Sequence, residues 1–311
     1  MTFKKRRQTL ALAALGLSAT LALAACGGGS TGSAGSTDTA AASASFDPTT
    51  VTKDNTLAAQ VPADVSTDGE LSYGTDASYP PSEFIATDGT TIVGFDVDLG
   101  TAIAARLGLT AKWENAPFDA LITRVDDGTY EVGMSSFTVN PDREKQSNMI
   151  SYFSAGTAWA VEAGNPMNIT PDTACGHRVA VQKATVQVTD LEARSKACTD
   201  AGDTAIQIDQ YVKQTDATTA VASGKDDAML ADSPVVAYAI LMTNGQLEAT
   251  GDIYDSAPYG IVVAKPQTDL AAAIQGAVQS LIDDGSYQKI LDTWGVGAGA
   301  VTKAEVNPSV G

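Results

Sequence analysis

Hydrophobic and polar positions follow two rhythms along this chain. Short apolar runs that alternate or are continuous give way repeatedly to stretches where apolar residues recur three and four apart. Residues 71–75 and 92–95 read as strands. Asp96 is placed to cap a helix through Leu107, with Val97, Ala104 and Leu107 on one face and Gly108 as the stop. Residues 119–127 read as a short helix and 130–135 as the next strand. Residues 154–161 and 261–264 are apolar extended runs, and 178–181 starts a further strand. A helix opens near Thr185 and runs toward Lys196. Residues 214–223, 233–243, 268–284 and 286–293 are helical by the same pattern. Strands and helices in alternation predict an α/β architecture.

One unit occurs twice. A helix ends at Gly128 and a strand runs to Ser135; another helix ends at Gly224 and a strand runs to Asp232. Residues 131–134 and 227–230 each deliver polar side chains at a strand tip, so two similar lobes facing one another are expected, with a cleft between them. Helix–Gly–strand units also recur in α/β proteins without such a duplication.

The first of these tips carries the clearest chemistry. Tyr130, Val132 and Met134 alternate and stop at Ser135, Ser136 and Thr138. Open α/β sheets bind ligands beyond the carboxyl ends of their strands, where these hydroxyls fall. Arg143 follows a Pro-Asp turn, and a guanidinium forks onto a carboxylate. The plainer alternative is a strand end, a turn and a solvated arginine.

The termini and the charge narrow the setting. Lys4, Lys5, Arg6 and Arg7 precede an uncharged apolar run from Leu10 to Ala25, so residues 1–25 read as an export signal. Leu23-Ala24-Ala25-Cys26 closes it as lipoprotein signals close, which predicts Cys26 as a lipid-modified N-terminus. The segment to residue 44 is Gly, Ser, Thr and Ala with Asp38 as its one charge, a flexible tether. Residues 46–66 are expected to lie along the surface.

The nineteen Lys and Arg include the four in the signal, so the mature chain is more acidic than the −18 of the whole sequence. Neither nucleic acid nor an anionic membrane face suits such a chain. With Cys26 committed to lipid, Cys175 and Cys198 form an even pair in an oxidising compartment, and a disulfide is expected over two buried thiols. His177, the single histidine, reads as a surface residue, with no metal site and no catalytic dyad.

Several segments in this order carry a resemblance: Gly74-Thr75-Asp76-Ala77-Ser78-Tyr79-Pro80-Pro81, Val93 to Leu99, Phe118 to Ile122, Ser135 to Arg143, Val179 to Gln182 with Thr185, Asp227 to Asp232, and Tyr259-Gly260. Over nearly all of residues 69–296 the chain resembles the family 3 solute-binding proteins of polar amino-acid ABC importers. The resemblance implies a two-lobe, periplasmic-binding-protein-like α/β clamp with two crossover hinge strands, near 157–163 and 257–264. Lobe 1 would comprise 69–158 and 263–296, and lobe 2 163–257. Residues 26–68 would be tether and N-terminal extension, and 297–311 a C-terminal tail.

It also implies roles. Arg143, with Thr138, would take the α-carboxylate of an amino acid, and the Thr185 backbone N–H, at a helix start, would add a donor. Asp232, with Ser136 or its neighbour Ser135, would accept the α-ammonium. Tyr79 and Phe118 would sandwich the side chain, and Asp76 would read its far end. Each has a plainer alternative: Asp76 as a turn cap, Tyr79 bracing the prolines, Phe118 as core, Asp232 as the N-cap before Ser233-Pro234. Ala184 and Val186 depart from the family's usual residues beside the carboxylate donor, and Ser82 departs at one wall.

Glutamine, arginine and lysine fit these groups. Glutamate or aspartate would need a base such as Lys183 or Arg178 in the pocket. A same-fold enzyme resembling cyclohexadienyl dehydratase and a ligand sensor are the rival functions. The expected partners are a polar amino acid, the permease with its ATPase, and the membrane through the lipid, for a monomer without cofactor on the outer face of the cell membrane or the periplasmic side.

Overall fold

Two strands of sixteen and eighteen residues dominate the computed structural model, which describes residues 46–310. The export signal, Cys26 and the low-complexity tether lie outside the described residues. In chain order the first part forms α1 (Asn55–Ala58), α2 (Ala63–Ser66) and β1 (Glu70–Thr75). A small antiparallel sheet follows, of β2 (Ser78–Tyr79), β3 (Glu83–Ile85) and β4 (Ile92–Val93). Then come α3 (Phe95–Leu107), β5 (Thr110–Asn115), α4 (Phe118–Asp126), β6 (Val132–Thr138), α5 (Pro141–Gln146) and the long β7 (Ser147–Glu162).

The second part contains β8 (Arg178–Gln182), α6 (Val186–Asp200), β9 (Gln207–Tyr211), α7 (Gln214–Ala222), β10 (Ala228–Asp232) and α8 (Ser233–Met242). The long β11 (Leu247–Ala264) leads back to α9 (Thr268–Asp283) and α10 (Ser286–Thr293).

The eight strands of the main sheet lie in the order β5-β1-β6-β11-β7-β10-β8-β9. Both flanks are parallel, β5-β1-β6 and β10-β8-β9, and the antiparallel pair β11 and β7 joins them. The parallel strands are covered on both faces, which is why β6, β8 and β10 are almost wholly buried. β7 and β11 pair from Ser147 with Ala264 to Glu162 with Leu247, and the register shifts between Thr250 and Ala257 and again between Tyr259 and Gly260.

The apolar cores divide at this ribbon. Leu71, Leu99, Ile103, Ile261 and Ile274 are among one cluster, and Phe118, Leu121 and Val262 belong to a neighbouring one. Trp159, Val179, Leu191 and Leu230 form a separate core on the side of β8 and β10. Each such fully buried side chain contributes about 1.5–3 kcal/mol. The chain is thus a two-lobe clamp, a first lobe on the side of β1, β5 and β6 and a second on the side of β8, β9 and β10.

Helix boundaries differ from the pattern-based expectation in one place that matters. α3 starts at Phe95, one residue before Asp96, and Gly94 is its N-cap at φ 141°. A Cβ at Gly94 would lie 2.0 Å from the Ser82 carbonyl oxygen, so only glycine fits. Asp96 is therefore inside the first turn, fully buried, and does not cap. Asp98, in the same turn, accepts a hydrogen bond from the Trp294 indole at 2.7 Å. Strands β5 and β9 went unread because they are half-exposed edges rich in polar residues.

Both ends of the described chain are held. Phe46, Val51 and Leu57 pack on the first-lobe core, so residues 46–66 do lie along the surface. At the other end the Ser151 N–H donates to Glu305 O at 2.9 Å and the Asn307 N–H to Met149 O at 2.7 Å, strapping the tail along β7.

Cys175 and Cys198 are bonded, with Cα atoms 5.6 Å apart, tying the loop before β8 to α6. Replacing both by serine should lower the unfolding free energy by about 3 kcal/mol, the value for a loop of this order. Urea denaturation of the oxidised protein and the double variant measures the difference, and equal midpoints would refute it.

Candidate functional site

Four strand ends converge on the cleft. β1 runs into Asp76, β6 ends at Thr138, β8 at Gln182 and β10 at Asp232. In parallel sheets the carboxyl ends share one edge, so the two flanks present their polar tips to each other. The pocket between them, narrow as it stands, is lined by Asp76, Tyr79, Phe118, Ser135, Ser136, Thr138, Arg143, Thr185 and Asp232. Those are the nine residues singled out in the sequence, brought together by the fold. Val186, expected beside the carboxylate donor, also lines it, and Gln182 and Gln187, to which no role was given, complete the lining.

Arg143 sits on α5, which Asn140 caps by accepting from the Asp142 and Arg143 N–H groups at 3.1 and 2.9 Å. Nη1 donates to Thr138 O at 2.7 Å and Nη2 reaches Ala184 O of the second lobe at 3.2 Å. The guanidinium lies 5.4 Å from the Phe118 ring centroid and 5.6 Å from that of Phe137. Burial pulls its pKa down to about 10, opposed by Asp232 and Tyr79, so it stays charged at neutral pH. Each Nη retains a further hydrogen for an incoming acceptor.

Asp232 stands at the N-cap position of α8 but its carboxylate caps nothing. It turns into the cleft instead, where Oδ2 accepts from the Tyr79 hydroxyl at 2.9 Å and Oδ1 from Gln187 Nε2 at 2.8 Å. Burial raises its pKa, while hydrogen bonds from Tyr259, Tyr79 and Gln187 and the charge of Arg143 act the other way. The Tyr259 hydroxyl nearby meets no partner at normal hydrogen-bond geometry, so its hold on Asp232 is weak. Tyr79 is buried rather than bracing prolines at the surface, and its hydroxyl also accepts the Asp232 N–H at 3.1 Å.

Asp76 is occupied from three sides. Oδ1 accepts from the Ser78 hydroxyl at 2.7 Å; Oδ2 accepts the Phe118 N–H at 2.9 Å and Gln182 Nε2 at 3.1 Å. The Ser78 bond is the turn role that its sequence context allows. The Phe118 bond supplies α4 with the cap that Pro117 does not give. A carboxylate offers about four acceptor sites, which leaves about one. Burial raises the Asp76 pKa, opposed by these bonds and by Lys213.

The remaining residues sort into bound and free groups. Ser135 Oγ accepts the Asp76 N–H at 3.1 Å and donates to Glu83 at 2.8 Å. Ser136, at φ 51°, has a buried hydroxyl with no partner. Phe118 is both core and wall: it stacks on Phe137 with centroids 4.8 Å apart and lines the pocket. Thr185 is the N-cap residue of α6, yet no side chain caps that helix, and its hydroxyl bonds Gln182 O at 2.8 Å. The first amides of α6 are therefore open to an anion.

Neither base considered for an acidic ligand lines the pocket. Lys183 pairs with Asp119 at 2.8 Å, and Arg178 with Asp209 at 2.7 Å. His177 Nδ1 is 3.5 Å from Asp227, also away from the lining. Gln182 and Gln187 were missed although one signal was present: Gln182, like Ser135 and Asp232, is a polar residue ending an apolar strand. Gln187 lies on a helix, where the sequence gives no such mark.

Comparisons with known proteins agree with the geometry. Residues 71–297 match the family described as bacterial extracellular solute-binding proteins, family 3. The chain is 37% identical over 252 residues to the arginine-binding protein ArgT of Corynebacterium glutamicum, covering 81% of this chain and 82% of that one. Among solved structures, an ancestral arginine-binding protein bound to arginine superposes with a TM-score of 0.67 at 30% identity, over 73% of this chain and 98% of the other. The ancestral amino-acid-binding protein AncCDT-1, a precursor of cyclohexadienyl dehydratase, gives 0.68 at 26% identity, over 77% and 99%.

Ala184 adopts φ 63° beside the open end of α6, a left-handed conformation that costs a non-glycine residue about 1–2 kcal/mol. Glycine there loses about 0.4–1 kcal/mol through the freer unfolded chain. Ala184→Gly should therefore raise the unfolding free energy by about 0.5–1 kcal/mol. Urea denaturation checks this, and a loss of stability would show that Ala184 is not strained.

Proposed function

Because the chain belongs to family 3 of the bacterial extracellular solute-binding proteins, we propose that it is the substrate-binding component of an ABC importer, capturing a polar L-amino acid between its lobes. The observation that carries the reading is the opposition of Arg143 and Asp232 in one buried cleft beside the uncapped start of α6. An amino acid is a carboxylate and an ammonium on one carbon, and this pocket offers a partner to each.

In this reading Arg143, Thr138 and the Thr185 N–H hold the carboxylate, and Asp232 with Ser136 and its unpaired hydroxyl holds the ammonium. Tyr79 and Phe118 flank the side chain. Asp76, with Ser135 at its back and Gln182 beside it, receives a basic or amide terminus. L-Arginine is favoured first, a preference supported by the arginine-binding relatives and by Lys183 and Arg178 being paired elsewhere. An acidic side chain would meet Asp76 and no free base in the lining. Both ligand charges leave water only as the lobes close, so a ligand lacking one would strand Arg143 or Asp232 unpaired.

The lobes would be residues 69–158 with 263–296, and residues 163–257. Lipidation of Cys26 would hold the receptor on the outer face of the membrane, near its permease, and raise the effective concentration there. The reading is of a receptor and not of an enzyme on the same fold.

L-Arginine at 100 times its dissociation constant should stabilise the protein by about 2.7 kcal/mol, visible as a melting shift that glutamate does not produce. Arg143→Ala should weaken binding by about 2–5 kcal/mol, a loss of at least about thirtyfold by titration calorimetry. Unchanged affinity in that variant would sink the site assignment. Cys26→Ser should move the protein from the membrane fraction to the soluble one, and retention on membranes would rule out the lipid anchor.

A further inference from the structure

Behind the strand tip that carries Ser135 and Ser136 lie two carboxyl groups that ligand binding does not use. Glu83 on β3 and Asp96 in the first turn of α3 are both fully buried. Glu83 Oε1 accepts the Ser135 hydroxyl at 2.8 Å. Asp96 Oδ2 accepts the Ser136 N–H at 3.0 Å and the Tyr152 hydroxyl at 2.6 Å. Their other oxygens, Glu83 Oε2 and Asp96 Oδ1, are buried and have no donor.

The titratable groups facing the pair are Asp76 beyond β1, Tyr79 on β2 and Tyr152 on β7. All are acids; the two carboxyls lie within hydrogen-bonding reach of each other, and the donors they meet among the described residues are Ser135, the Ser136 N–H and Tyr152, none of them basic. Two carboxylates cannot both stay ionised in an apolar setting without a cation. The group with more donors keeps the charge, and that is Asp96.

We propose that Glu83 and Asp96 share one proton, carried on Glu83 Oε2 and donated to Asp96 Oδ1, and that this bond positions Ser135 and Ser136 for the ligand. Both residues are positioning residues: neither lines the pocket, and each acts through a serine that does. The proton links the small sheet to α3, and through the two serines to the tip of β6. Ser135 in turn holds the Asp76 N–H, so the network extends to the carboxyl proposed to read the side chain. Burial, the leading cause, raises the Glu83 pKa well above its usual value and that of Asp96 to about 7.

The sign follows from those directions. A carboxyl whose pKa is raised on folding stabilises the protein at low pH, and the effect is lost as pH rises through the folded value. Glu83→Gln tests this because an amide keeps the geometry without a removable proton: its nitrogen donates to Asp96 and its oxygen accepts from Ser135. Relative to this variant, the wild-type folding constant should fall about tenfold per pH unit above about pH 5, until the folded pKa of the pair is passed. Parallel stability curves for the two proteins from about pH 5 to about pH 9 would overturn the proposal.

Infrared spectra of the wild type give an independent reading should the variant not fold. A protonated-carboxyl stretch at neutral pH is expected, and its absence overturns the proposal. The binding arm rests on the ligand site proposed above and uses L-arginine as probe: wild-type affinity should fall with alkaline pH by up to about tenfold per unit while Glu83→Gln falls less. Equal pH profiles for binding would overturn the positioning role. Diverging stability curves with no L-arginine binding by either protein would retain the shared proton and reject the ligand reading instead.

Discussion

The antiparallel pairing of β7 with β11 is the constraint on which the rest depends. These two strands are the middle of one sheet and belong to both lobes, so they set how the parallel flanks face each other. Each flank ends its strands at the cleft edge because the ribbon fixes its direction. The pairing is regular from Ser147 to Ser151 and again from Trp159 to Glu162, and between them the register shifts repeatedly, from Thr250 to Gly260. A ribbon that is regular within a lobe and irregular between lobes lets the halves move while each stays packed.

The cleft follows from that arrangement by electrostatics. Charges brought between two lobes lose water, and each must find a partner or be costly. Asp76 has three donors, Asp232 has bonds from Tyr79 and Gln187, and Arg143 rests on carbonyls and two aromatic rings. Several of these bonds run between lobes, Gln182 to Asp76 and Tyr79 to Asp232 among them. The interactions that prepare the site are thus the same ones that bring the lobes together.

Much of this was legible in the residues, and the failures have physical causes. Ser135, Thr138 and Asp232 announced themselves because a polar residue at the end of an apolar strand has little reason to be there except at a sheet edge. The long ribbon was seen only in its apolar parts, since β11 is mostly exposed before Tyr259 and loses its hydrophobic signature there. Asp96 looked like a cap because helix periodicity cannot say what packs over a first turn. Glu83 carried no signal at all: its burial comes from a fold of the chain between β2 and β4 that local pattern does not reveal.

The strap of the C-terminal tail along β7 bears on the order in which the molecule can be made. The second-lobe cores draw on one stretch, from Ala158 to Leu247, with Tyr79 the one buried residue added from the first lobe. The first-lobe core needs Val61 and Leu71 together with Leu291 and Ala304, residues from opposite ends of the described chain. A polypeptide that emerges N-terminus first can therefore close the later-numbered of its two halves while the earlier one still waits for its last residues. Long loop closure slows the first-lobe core, and its strand edges stay exposed in the interval. Truncation at the tail would act on the half of the molecule that was synthesised first.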